Sequence, residues 1–311
     1  MLDADSDHDT MVVDPVRVSE GVGLVQNRDH VAELLKHNSC RMFKGRVCHP
    51  EPVQIARIVR CLQQVLLPNY YQPSADECAP CIDSLWEGIA GQIHRAMFQK
   101  CMEKDSTEDS RKIAGDLAEE VIMQLPAVQE LLYEDVMETY DSDPASTGYD
   151  EIILTYPGLF ALMVYRLAHV MLEIGIPLLP RMMTEYAHRE TGIDLHPGAS
   201  IGRGIMIDHG TGTVIGETAV VGNHVKIYQG VTLGALYFPR AEDGAMLRQT
   251  KRHPTVEDHV VLYSHATVLG GETVVGHHSV IGSNTWVTRS VPPFSKVVYE
   301  SESVIKTRVG E

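Results

Sequence analysis

Positive charge is scarce in this 311-residue chain: 26 Lys and Arg stand against 42 Asp and Glu, a formal net charge of −16. A surface of that sign repels phosphate backbones and anionic headgroups, which excludes a nucleic-acid groove or an acidic membrane as principal partner. Long apolar runs are missing as well. The greasiest segment, Pro157 to Pro180, is broken by Arg166, His169 and Glu173, short of the ~18 to 20 apolar residues that span a bilayer. The opening, Met1 to Asp14, is acidic and lacks the basic-then-apolar start of a secretory signal, so the expected compartment is the cytoplasm. All six cysteines (Cys40, Cys48, Cys61, Cys78, Cys81, Cys101) fall in the first third, so the later part of the chain has no thiol nucleophile. The Cys78-Ala79-Pro80-Cys81 spacing is that of a redox dithiol or half a zinc site. No second such pair completes four ligands, and helix-packing thiols are the expectation.

What the chain does have changes texture near residue 190. Residues 1 to 28 are acidic and lack apolar periodicity, and are expected to be a disordered arm. Residues 29 to 190 carry helical spacing: one stripe of Ile55, Ile58, Val59, Leu62 and Val65, a second of Ile82, Leu85, Ile89, Ile93 and Met97, and a third of Leu117, Val121, Ile122 and Leu125. A last helical pair is expected over about 156–174 and 177–188. Stripes of that breadth mark core or subunit contact, so this part is expected to be an assembly domain. From Ile193 to Val287 a different rhythm takes over. Val, Ile or Leu recurs every six residues, often followed by glycine, as in Ile201-Gly202, Ile215-Gly216, Val221-Gly222, Leu233-Gly234, Leu269-Gly270, Val275-Gly276 and Ile281-Gly282. Leu195, Ile207, Ile227, Val256, Leu262 and Val287 keep step without the glycine. A triangular β-solenoid fits this period, with the apolar residue pointing inward and the glycine taking the tight corner. The rhythm slips between Ile207 and Ile215 and between Leu262 and Val275, and it stops for a loop at roughly 236 to 254; chemistry is expected at such interruptions.

The first slip lies beside Asp208-His209, and Asp194 stands fifteen residues earlier, close to one coil of about eighteen. A histidine braced by a carboxylate is fixed in one tautomer and becomes a base able to deprotonate an alcohol near neutral pH. Where the loop rejoins the repeats, Lys251-Arg252-His253-Pro254 sets two cations beside a histidine, a combination suited to a carboxylate or phosphate.

The run DLHPGASIGRGIMIDHGTGTVIGETAVVGNHVKIYQGVTLG, followed by RHP and SVPP, resembles the serine O-acetyltransferases of the hexapeptide-repeat acyltransferase group over roughly 143–293. The resemblance implies an α+β fold: a helical N-terminal domain, then a left-handed parallel β-helix over 191–293, with 294–311 as a tail. It implies a homotrimer with active sites between neighbouring prisms, or a dimer of trimers. Acetyl-CoA would be the co-substrate and L-serine the acceptor, with no metal expected. Carried over residue by residue, His209 becomes the general base and Asp194 its orienting carboxylate. Asp143 and Asp208 become serine-binding aspartates, and Arg252 and His253 face serine from the neighbouring subunit. Gly234, Ala235, Ser264 and Ser283 lie where coenzyme A would pass. Three features depart from the family pattern. Gly234-Ala235 stands where two glycines are usual, Phe294 to Glu302 replaces a small-residue segment, and the chain ends Arg308-Val309-Gly310-Glu311 where many members carry the isoleucine that inserts into a sulfhydrylase. That partner complex is not expected here.

Two further readings compete. The same fold acetylates homoserine, sugars or amino sugars in other members, though Arg252 with Asp143 and Asp208 favours a zwitterionic acceptor. A metal-dependent lyase would recruit His253, His259, His265, His277 or His278, but steps of six send His259 and His265 apart. A solenoid that only trimerises would leave the polar clusters without purpose.

Overall fold

A computed structural model describes residues 30–35, 49–71, 78–97, 107–238, 240–241, 244–247 and 250–300. The chain divides into two compact units, Met1–Arg46 and Val47–Glu311. In the first, residues 30–35 are helical and exposed. The arm expected at 1–28 and the C-terminal residues from 301 lie outside the described residues.

The second unit opens with helices. α1 (Pro52–Leu66) begins on a proline, whose missing N–H is harmless in a first turn, and buries Ile55, Ile58, Val59, Leu62 and Val65. After the single turn of α2 (Pro68–Tyr71), α3 (Cys78–Met97) holds the Cys78–Cys81 spacing in its first turn. It buries Leu85, Ile89 and Ile93, whereas Met97, expected on the same stripe, ends the helix exposed. The third stripe is two helices rather than one. α4 (Thr107–Met123) carries Leu117, Val121 and Ile122, and α5 (Leu125–Ser142) starts at Leu125, because Pro126 cannot donate within a continuing helix and instead occupies a new first turn. α6 (Tyr149–Thr155), α7 (Pro157–Glu173) and α8 (Leu179–Thr191) complete the layer. Gly192 ends α8 in the left-handed region, its N–H bonding His188 O at 2.7 Å, and turns the chain into the solenoid.

The solenoid is a left-handed parallel β-helix of about five turns with three faces. β1 (Asp194–Leu195), β4 (Val214–Ile215), β7 (Thr232–Gly234), β10 (Thr267–Leu269) and β13 (Trp286–Val287) stack as the first face. β2 (Ser200–Ile201), β5 (Val220–Val221), β8 (Thr255–Val256) and β11 (Val274–Val275) form the second. β3 (Met206–Asp208), β6 (Lys226–Tyr228), β9 (Val261–Leu262), β12 (Val280–Ile281) and β14 (Lys296–Val297) form the third. All pairings are parallel, and Leu195, Ile207, Ile227, Val256, Leu262 and Val287 point into one shared core. β14 carries the coil past the boundary expected at 293. Phe294 turns that corner in the left-handed region without an apolar-glycine pair to announce it.

The corner glycines act differently from the expectation. Of the seven expected apolar-glycine pairs, only the one at Gly270 places its glycine at positive φ. Gly202 and Gly276 are instead pressed by the next coil: a Cβ would meet Gly222 O at 2.6 Å and Pro293 N at 2.4 Å. Close stacking, not left-handed backbone, selects those glycines. The left-handed corner sites fall elsewhere, on His209, His224, His259, His265 and His278 among others.

One buried ion pair ties helices to solenoid. Arg166 on α7 forks onto Asp135 of α5 at 2.7 and 2.6 Å and donates to Gly202 O at 3.0 Å, while Asp135 also accepts the Ile205 N–H at 2.9 Å. Arg166 therefore interrupts the greasy segment for a structural reason. Among the described residues no single helix is long and apolar enough to cross a membrane.

Candidate active site

The polar residues singled out by sequence gather in two clusters. The first lies at the edge where the third face turns into the first. Asp208 ends β3 in register with Tyr228 one coil on, and His209 follows at the corner with φ 57° and its side chain 71% exposed. Its Nδ1 is 3.7 Å from Asp208 Oδ1. Asp143, immediately after α5, accepts the Ala145 N–H at 2.9 Å and the Tyr156 hydroxyl at 2.5 Å. That hydrogen bond holds the Tyr156 phenol well above its ordinary range, with burial and the charges of Asp143, Glu151 and Asp208 adding to it. Burial raises the Tyr228 phenol too, and Asp208, Tyr263 and Asp143 raise it further. Two carboxylates thus act on the same pair of phenols beside an exposed imidazole. Such a place favours an ammonium group.

The second cluster lies toward the edge between first and second faces. His253 is 8% exposed, and its Nδ1 accepts the Thr218 N–H at 3.0 Å. The Thr218 hydroxyl lies 2.9 Å from the same nitrogen and accepts the backbone N–H groups of Arg252 and His253 at 2.9 and 3.1 Å. Burial, and then the Arg252 guanidinium, pushes His253 down to about 4, so the ring is neutral and presents Nε2–H. The ring approaches Gly216 closely, and a Cβ there would stand 2.2 Å from Nε2. Arg252 pairs with Glu217, whose carboxyl burial raises but this contact brings below its usual range. His196 joins the group; burial lowers it first, then Arg181, with Asp194 and Glu217 opposing.

Asp194 belongs to this second cluster. Its carboxylate accepts from Arg181 Nη1 at 3.2 Å, and Arg181 also pairs with Glu185. Within one chain Asp194 and His209 share no hydrogen bond or ion pair, and the Asp194 carboxylate meets Arg181 instead. Ligand atoms of Glu185, His188 and Asp194 come within 4.8 Å of one another, a grouping that could hold a metal, but Arg181 already sets a positive charge against two of them.

Ser264 and Ser283 continue the His209 edge on later coils, their hydroxyls 3.1 Å apart. Gly234 and Ala235 lie across the first face from them, and a Cβ on Gly234 would strike Leu269 Cδ2 at 2.8 Å. Of the histidines weighed for a metal, His253 sits at one edge and His265 at another, while His259, His277 and His278 share a third, where His224, His259 and His278 stack as near-parallel rings with centroids 5.0 and 4.7 Å apart and His277 meets His278 edge-on. Tyr156, Thr218 and Glu217 escaped sequence reasoning; nothing in their spacing marks them, and only the fold brings each to its partner. A roomier recess of 680 Å³ lies among the helices, lined by Leu66, Tyr70, Leu132, Tyr133 and Val136, and holds neither cluster.

No family model matches the chain. Individual relatives do. It is 41% identical over 254 residues to a serine acetyltransferase of Synechococcus elongatus, covering 78% of this chain and 79% of that one. A Bacillus subtilis serine acetyltransferase is 44% identical over 132 residues, 42% of this chain and 57% of the relative. Among solved structures, Entamoeba histolytica serine acetyltransferase 1 in complex with L-cysteine superposes with a TM-score of 0.68 at 36% identity, covering 78% of this chain and 86% of that one. Since a relative is 41% identical over 254 residues, more than the solenoid alone supplies, and the same fold recurs in the solved relative, the chain belongs to the serine acetyltransferase family.

Proposed function

We propose that the two clusters are the halves of one active site, joined when neighbouring prisms meet in a homotrimer, and that the site transfers acetyl from acetyl-CoA to the L-serine hydroxyl. The carrying observation is the division itself: Asp143, Asp208 and the His209 imidazole lie on one side of the first face, and Arg252 and His253 on the other. Serine carries both charges and needs both halves. Its ammonium sits between Asp143 and Asp208, and its carboxylate meets Arg252 and the Nε2–H of the partner subunit's His253. The hydroxyl then faces His209.

His209 takes the hydroxyl proton as serine Oγ bonds to the thioester carbon, giving a tetrahedral oxyanion. Collapse breaks the carbon–sulfur bond, and the departing thiolate receives the proton from the imidazolium. No enzyme nucleophile is required. Asp194 serves as the carboxylate that orients the imidazole once it exchanges Arg181 for His209 in the assembled site. Ser264, Ser283, Gly234 and Ala235 border the path of coenzyme A, and acetyl-CoA enters as a co-substrate. His209→Ala is expected to keep the fold and lower kcat by ~10² to 10⁴. Thiol release from acetyl-CoA, measured with serine against homoserine and sugar acceptors, tests acceptor and base together. Near-normal turnover in the variant, or transfer to sugars alone, defeats the proposal.

A further inference from the structure

The recess of 680 Å³ among the helices has a built frame. Its floor is apolar and closed, since Leu66 at the end of α1 and Leu132 and Val136 on α5 are all buried. Side-chain hydrogen bonds fix the elements around it. Gln129 Nε2 donates to Leu66 O at 2.8 Å and ties α5 to α1. The Tyr70 hydroxyl donates to Asp150 Oδ1 at 2.8 Å and the Tyr71 hydroxyl to Ile153 O at 3.0 Å, which ties α2 to α6. The volume falls within the ~300 to 1,000 Å³ typical of small-molecule sites.

The rim is aromatic and acidic. Tyr133 and Tyr149 line it, 65% and 41% exposed, with Glu130 and Glu134 one helical turn apart on α5. No Lys, Arg or His stands among the described lining residues. Like charges four residues apart on a helix repel, and Arg203 answers only one of them. Its Nη1 lies 3.1 Å from Glu134, whereas Glu130 has no ion pair among the described residues. An apolar body with a positive head matches this lining: tyrosine rings receive hydrocarbon and cation alike, and Glu130 takes the charge. An anion would face two carboxylates, and a neutral head group would leave Glu130 unanswered.

The helices that frame the recess also carry the Asp143 end of the first cluster. Asp143 is the first residue after α5 and Tyr156 the first after α6, and the Tyr156 hydroxyl donates to Asp143 Oδ2 at 2.5 Å. Tyr140 of α5 packs its ring on Tyr149, a wall of the recess on α6, with centroids 4.6 Å apart. A molecule in the recess therefore touches α5 and α6 together and holds them at the spacing that the Asp143–Tyr156 bond requires. We infer that the recess is a second binding site, for a hydrophobic amine as its ammonium ion, and that its occupancy tightens serine binding by holding Asp143 in place. The coupling to serine rests on the role of Asp143 in the reading above; the binding of the amine does not.

Phenylbutylammonium, phenylbutanol and phenylbutanoate share one apolar body and differ in charge. Calorimetry on the full chain is expected to show the ammonium ion bound about 5-fold more tightly than the alcohol, the scale of an exposed ion pair, and the anion more weakly than either. Glu130→Gln should abolish the preference for the ammonium ion, and Tyr133→Ala should weaken ammonium ion and alcohol alike; both side chains are exposed, so the fold persists. Glu119→Gln, at an exposed acidic position on α4 outside the recess, is expected to change neither, which separates the site from the general negative charge of the chain. With the ammonium ion saturating, KM for serine is expected to fall about 5-fold at unchanged kcat, and Tyr133→Ala to remove that effect. Absence of saturable binding, or equal losses in Glu119→Gln and Glu130→Gln, overturns the site. Binding that leaves KM unmoved overturns the coupling, and a rise in KM puts the amine in the serine site instead. Dispersal of the assembled chains by Tyr133→Ala, read by sedimentation velocity, would mean that a second copy fills the recess and overturns the inference as well. Failure of the unaltered protein to acetylate serine would defeat the acceptor reading alone and leave the calorimetric result standing.

Discussion

If the active site is shared between subunits, two inactive chains must repair each other. His209 and the pair Arg252–His253 stand on opposite sides of the first face, so one chain cannot present both to one serine. Consider His209→Ala, lowering kcat ~10² to 10⁴, and Arg252→Ala, losing charge-assisted hydrogen bonds whose removal costs about 1.5–3 kcal/mol, or roughly 10- to 150-fold, in serine binding. Coexpressed in equal amounts and assayed at low serine, the two form trimers at random. A site is intact when its His209 side comes from an Arg252→Ala chain and its Arg252 side from a His209→Ala chain, a chance of one half times one half. Roughly a quarter of normal activity should therefore return in a ring of equivalent heterologous contacts. The complementary mixture sharpens the reading. Unaltered chains mixed equally with the double variant give roughly a quarter if the site is shared, but a half if each chain holds its own. No recovery in the first mixture together with a half in the second would refute the shared site.

Three other outcomes follow from particular contacts. His253 is pushed down to about 4, below the ~6.5 of an unfolded histidine, so its contribution to stability is complete above ~6.5 and is lost as pH falls toward 4, where the unfolded chain binds the extra proton. Denaturant titrations at pH 7.5 and 4.5 should differ on the order of 2 kcal/mol from this group, and His253→Asn should remove that part of the slope; an unchanged slope contradicts the assignment. Gly216→Ala places a Cβ 2.2 Å from His253 Nε2, so the ring must leave Thr218, and KM for serine is expected to rise well before the fold is lost. Arg166→Met leaves the Asp135 carboxylate buried with the Ile205 N–H alone and should cost about 3–5 kcal/mol by thermal or chemical denaturation, while Asp135→Leu with Arg166→Met should recover most of it. A double variant no better than the single would show that the pair itself, not an orphaned charge, holds helices to solenoid.

The solenoid was legible because a six-residue period is a local code: Leu195, Ile207, Ile227, Val256, Leu262 and Val287 point inward where the rhythm set them. The helical layer was legible where a stripe is long, as in α1, and failed at Pro126, where one stripe crosses two helices. Contacts between distant segments were beyond reading. Tyr156 meets Asp143 across 13 residues and Thr218 meets His253 across 35, and neither pairing leaves a periodic trace. Asp194 illustrates the limit from the other side. Its spacing from His209 is right for adjacent coils, but spacing is blind to Arg181, which arrives from α8 and takes the carboxylate.

The left-handed corners show how such long-range fitting is written into short repeats. A non-glycine residue at φ near 57° costs about 1–2 kcal/mol, less for His and Asn than for branched residues. Glycine would avoid that cost at every corner, yet His224, His259 and His278 occupy one edge in succession, followed by Phe294. Stacking supplies the reason: each ring lies 4.7 to 5.0 Å from the next and within 9° of parallel, so each interior ring has two aromatic neighbours at about 0.5–1.5 kcal/mol apiece. Glycine appears where the column starts. A Cβ on Gly204 would stand 2.7 Å from His224 Nδ1, and on the His209 edge a Cβ on Gly230 would stand 2.2 Å from His265 Nδ1. Small below, aromatic above is a rule across coils, and it predicts that His259→Ala, which keeps the strained backbone and loses both stacks, destabilises the edge more than His259→Gly does. Equal losses in the two variants, measured by thermal denaturation, would mean that the left-handed backbone carries no cost at this corner, and an unchanged stability in His259→Gly would mean that the rings contribute nothing to holding it.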